Sequence, residues 1–65
     1  MQILVNGASR EVHAPDLSGA LEELGYGGAV IATAVNGEFV AAAERTAARL
    51  ADGDRIEVLA PMQGG

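Results

Sequence analysis

The chain has 65 residues, enough for one small domain and no second, and a domain of that size buries only about 60% of the surface its unfolded chain exposes. With a single Tyr and a single Phe, the core has to be assembled from Val, Ile, Leu and Ala. Nine acidic residues against four arginines give a net charge of −5, which argues against nucleic acid and anionic membrane as partners, and the lack of cysteine excludes disulfides, thiolate zinc sites and a thiol nucleophile.

The opening QILVNGASREVH places Ile3 and Val5 on one face, turns at Asn6-Gly7 and returns through Val12, which predicts a β-hairpin because Asn-Gly tolerates the positive φ of a tight turn. In APDLSGALEELGYGG the period changes. Leu17, Ala20, Leu21 and Leu24 fall at i, i+3, i+4 and i+7, the apolar stripe of a short helix, with Asp16 or Ser18 as its cap and Gly25 as its left-handed stop. AVIATAVNGEFV is rich in β-branched residues and folds back at Asn36-Gly37 into a second hairpin. Ile31, Thr33 and Val35 share a face, with Thr33 weakening the alternation. AAAERTAARL favours a helical turn or short helix anchored by Leu50. ADGDRIEVLA then makes a turn at Asp52-Gly53-Asp54 and a last strand with Ile56 and Val58 inward and Arg55, Glu57 and Leu59 outward.

The order β-β-α-β-β, helical turn, β predicts an α+β fold of the β-grasp type, a mixed sheet of four or five strands with one main helix across one face. The domain is expected to span residues 1–60, followed by a flexible tail, 61–65, reading PMQGG. Glycine loses the most backbone entropy on ordering, so two at the end contribute nothing to folding. They do leave the Gly65 carboxylate on a thin leash. From Ala60 to Gly65 an extended chain reaches about 20 Å, enough to enter another protein's buried site, and Pro61 limits its slack. Gln63 and Gly64 complete the tail with Met62, and Phe39, Leu59 and Met62 are candidates for an apolar docking patch at its root. Phe39 is equally consistent with the core.

Other polar residues read more plainly. His13 has no second ligand at metal spacing and is expected on the surface, so no metal site is predicted. Glu22 and Glu23 point apart on the helix and read as a solvated face, while Asp52 and Asp54 serve their turn. The opening residues carry no basic segment followed by an apolar run, and no apolar stretch approaches a membrane span, which suggests a cytoplasmic protein.

MQILVNG, AVNGEFV, RLADGDRIEVL and the terminal QGG, in this order and at this length, resemble the ThiS family of ubiquitin-like sulfur carriers of thiazole biosynthesis. Where family members often carry Pro-Arg and a nearby Trp, this chain has Ala41, Ala42 and Arg45. The resemblance implies a carrier and no catalytic residue of its own. A ThiF-like adenylyltransferase would use ATP and magnesium to convert the Gly65 carboxylate into an acyl-adenylate, and a sulfur donor protein would turn that into a thiocarboxylate for a ThiG-like thiazole synthase. The chain holds no G-x-x-x-x-G-K-[ST] loop, so ATP belongs to the partner and no cofactor is expected here. Two relatives share such a tail: the small subunit of molybdopterin synthase, which is usually longer, and ubiquitin-like modifiers. Lacking lysine, this chain cannot build lysine-linked chains on itself. A plain interaction module with an inert tail is the remaining alternative.

Overall fold

The computed structural model describes residues 1–60. The tail expected over 61–65 lies outside the described residues.

Strands β1 (Gln2–Val5) and β2 (Ala8–Glu11) form the first hairpin, followed by helix α1 (Leu17–Glu23). Strands β3 (Ala32–Val35) and β4 (Glu38–Val40) form the second, and after one 3-10 turn, Ala42–Glu44, strand β5 (Arg55–Leu59) ends the described fold. The sheet order is β2-β1-β5-β3-β4, so the first and last strands lie side by side at its centre and run parallel, while the other pairs are antiparallel. This is the expected β-grasp, with five strands.

Both hairpins close through two-residue turns at the predicted Asn-Gly pairs. Asn6 and Asn36 each have φ 50° and are followed by glycines at φ 85°, the left-handed pair of a type I′ turn, whose twist matches that of the flanking strands. The turns set the register, Val5 opposite Ala8 and Val35 opposite Glu38, and thereby which side chains face inward.

Helix α1 buries Leu17, Ala20 and Leu21 against Ile3, Val5, Val12, Ile56 and Val58. Leu24 is only half-buried because it is already the C-terminal cap. The helix stops as expected: Gly25 has φ +94° and donates to the Glu22 carbonyl, while Tyr26 donates to that of Leu21, the paired bonds of a Schellman motif. At the other end Asp16 is the cap, accepting from the Gly19 N–H at 2.8 Å. Leu17 and Ser18 donate instead to the carbonyls of Ala48 and Arg45, so the N-terminal donors of the helix are satisfied by the segment after the 3-10 turn. The Ala48 carbonyl is thereby committed to α1 and that of Arg45 is shared between Ser18 and Ala48, in a stretch that makes a single 3-10 turn followed by irregular turns. Leu50 anchors it by packing on the core and donating to the Pro15 carbonyl.

Thr33, the residue that breaks the apolar alternation of β3, is buried. Its Oγ1 donates to the Val40 carbonyl at 2.9 Å and accepts from Arg45 Nε at 3.1 Å, while Arg45 Nη2 donates to the Ile31 carbonyl at 2.7 Å. Arg45 thus ties the 3-10 segment to the second hairpin.

Candidate functional site

Strand β5 leads directly into the tail, and its alternation divides the sheet into two faces. Ile56 and Val58 enter the core, while Arg55, Glu57 and Leu59 point to the side opposite the helix. On that outer face Leu59 pairs with Ala32, and Phe39 on β4 pairs with Ala34. Leu59 and Phe39 are each 71% exposed, and with Ala32, Ala34, Asn6 and Glu57 they line a shallow depression of about 200 Å³. Phe39 therefore belongs to the surface and not to the core. The type I′ register makes Val40, opposite Thr33, the inward residue of β4. Of the three docking candidates, the structure brings Phe39 and Leu59 together; Met62, like Gln63, Gly64 and Gly65, lies outside the described residues.

A second depression, of about 410 Å³, opens beside the start of β5, between the two Asn-Gly turns and lined by Leu4, Arg55 and Glu57 among others. The asparagines of those turns carry a role that sequence reasoning missed. The Asn36 N–H donates to the Arg55 carbonyl at 2.7 Å, and its Oδ1 accepts from the Arg55 N–H at 3.0 Å. Asn6 does the same for the other edge of β5, its N–H donating to the Ile56 carbonyl at 2.9 Å and its Oδ1 accepting from the Val58 N–H at 2.9 Å. The only signal in the sequence is that Asn, rather than Asp or Gly, opens both turns.

Asp54 holds its turn through a carboxylate that accepts from Asn36 Nδ2 at 3.0 Å and from the Ala51 N–H at 2.8 Å. These bonds, the Asn36 amide first, lower its pKa below the usual aspartate value. Asp54 thus serves its turn, as expected, whereas the Asp52 carboxylate accepts from the Gln2 N–H at 2.7 Å and ties the turn to the start of β1. Glu11 is likewise held below the ordinary glutamate value, first by its hydrogen bond to the Met1 amino group and then by that group's charge. Glu23 does more than face solvent. Its two oxygens accept from the backbone N–H groups of His13 at 2.9 Å and Ala14 at 2.6 Å, pinning the loop between β2 and α1. The His13 side chain is on the surface, and among the described residues no three potential metal ligands gather.

The family model for the ThiS family matches residues 3–65. The chain belongs to the ThiS family. Among solved structures, this ThiS-family chain is similar to the thiamine biosynthesis protein ThiS of Geobacter metallireducens, with 29% identity, a TM-score of 0.82 and coverage of 100% of both chains. No curated protein matches it by sequence. Among the described residues of this ThiS-family domain, no helix is long and apolar enough to cross a membrane.

Proposed function

We propose that this protein is a sulfur carrier of thiamine biosynthesis, with the terminal carboxylate of Gly65 as the group that carries sulfur. Membership of the ThiS family and likeness to a thiamine biosynthesis protein support this branch over the small subunit of molybdopterin synthase. The observation that carries the reading is the continuity of the family match through residue 65, beyond a central strand that ends beside an exposed apolar patch.

The chemistry follows from what a carboxylate lacks. It is anionic and has no usable leaving group, so a nucleophile cannot replace its oxygen directly. Attack of the carboxylate on the α-phosphate of ATP, bound with magnesium by a ThiF-like adenylyltransferase, releases pyrophosphate and supplies AMP as a leaving group. The terminal sulfur of a persulfide on the donor protein then displaces AMP, and a thiol reduces the resulting acyl disulfide to the thiocarboxylate. Its sulfur anion is a stronger nucleophile than the oxygen it replaced and is delivered to a ThiG-like thiazole synthase. Phe39, Leu59 and Met62 dock the carrier, while Gly64 and Gly65 pass through an opening that side chains would block.

Deleting Gly65 is expected to leave the melting temperature within about 1 °C of the parent, because a terminal glycine adds few buried contacts. The new carboxylate stops about 3.5 Å short of the α-phosphate, so adenylation collapses. Amidating Gly65 keeps the full reach and removes only the reacting oxygen. Intact mass after incubation with the adenylyltransferase, ATP and a sulfur donor is expected to show neither AMP adduct nor thiocarboxylate; sulfur uptake at the parent rate would falsify the reading.

A further inference from the structure

Strand β5 is central, yet its two neighbours accompany it unequally. On one side β3 stays paired as far as Leu59. On the other, β1 ends at Val5, opposite Ile56, and the chain turns away at Asn6-Gly7. A longer β1 would offer Val58 a carbonyl for its N–H and an N–H for its carbonyl. The Asn6 side chain supplies both: Oδ1 accepts from the Val58 N–H at 2.9 Å and Nδ2 donates to the Val58 carbonyl at 3.2 Å. One amide thus replaces the next rung of the parallel ladder.

We infer that Asn6 is a positioning residue, which fixes the direction in which the chain leaves β5 towards Gly65. The inference rests on the carrier reading of the tail. Val58 is only two residues from the end of the described fold, and Asn6 is what holds its backbone on the β1 side. When the tail is drawn out to its full reach of about 20 Å in a partner's channel, a swing of about 10° at its root displaces its tip by about 3.5 Å. That matches the separation at which reacting atoms must be held, so a loosened root lowers the rate of reaction even where docking is intact.

The fold provides its own control. Asn36 has the same φ, the same following glycine and the same combination of N–H and Oδ1 bonds to β5, but it clamps Arg55, at the opposite end of the strand from the tail. Asn6→Gly and Asn36→Gly both keep a turn compatible with positive φ and each removes one side-chain amide. Comparable falls in melting temperature are expected. Hydrogen exchange at the Val58 amide should accelerate about tenfold more in Asn6→Gly than in Asn36→Gly, because only the former removes its acceptor. Single-turnover adenylation at saturating enzyme should fall about tenfold for Asn6→Gly and stay within about twofold of the parent for Asn36→Gly. Asn6→Asp keeps the acceptor and suits the same turn, and is expected to fall between parent and Asn6→Gly in both measurements. Equal adenylation defects in the two glycine variants, or Val58 exchange that responds equally to both, would overturn the assignment in favour of general stability. A parent protein that acquires no AMP overturns the carrier reading itself, and the positioning role with it.

Discussion

Asp54 illustrates how a single half-buried side chain can hold a turn and make stability depend on pH. Its carboxylate accepts from Asn36 and from the Ala51 N–H, so its folded pKa lies below the unfolded value. A group depressed in this way stabilises the fold fully above the unfolded pKa, about 3.9, and loses that contribution as pH falls through the folded value. Asp54→Asn should therefore melt below the parent by a constant margin from about pH 5 upward, and the margin should shrink below about pH 4. Thermal melts of both proteins across that range check the sign, and a margin that widened on acidification would contradict it. Arg45 makes a different point about single residues. Its guanidinium bridges buried Thr33 and the Ile31 carbonyl. A buried hydroxyl that loses its partners costs about 1–3 kcal/mol, so Arg45 and the Val40 carbonyl together keep a polar residue acceptable in an otherwise apolar face.

Among the elements, α1 gives the strictest test of the core. Leu21 is 4% exposed and packs with Leu17 and Ala20 on the central strands. Leu21→Asp buries a charge that has no partner in that core, and a loss of at least about 3 kcal/mol is expected, a large share of the stability of so small a domain. Chemical denaturation measures it, and a parent-like midpoint would mean that Leu21 is not a core residue. The elements that were legible in the sequence are those specified by local chemistry: two Asn-Gly turns, an apolar stripe of period 3.6, and Gly25 at its end. The alanine-rich segment was less legible. Its residues favour helix, but its carbonyls complete α1 and its arginine completes β3, and neither demand leaves a mark in local composition. Phe39 was ambiguous for a related reason, since which of two adjacent apolar residues faces inward depends on the hairpin register, and that register gave the position to Val40.

For the molecule as a whole, net charge sets the terms of encounter. With −5 overall and Glu57 beside Phe39 and Leu59 on the outer face, the carrier is suited to a partner with a basic rim around an apolar centre. Glu57→Arg is expected to slow association with the proposed adenylyltransferase several-fold at low salt and much less at about 0.5 M salt, where screening shortens the range of the field. Stopped-flow rates at the two ionic strengths test this, and equal slowing at both would assign Glu57 a contact role instead. The central pairing of β1 with β5 has a consequence for biosynthesis. The strand that begins the fold obtains its innermost neighbour only after more than 50 residues have been added, since Leu4 and Val5 pair with Arg55 and Ile56. A nascent chain cannot close its sheet on the ribosome while β5 is still in the exit tunnel, and one truncated before β5 has an open sheet that proteases and chaperones can recognise. Cellular quality control would therefore retain molecules in which translation has reached at least the root of the tail.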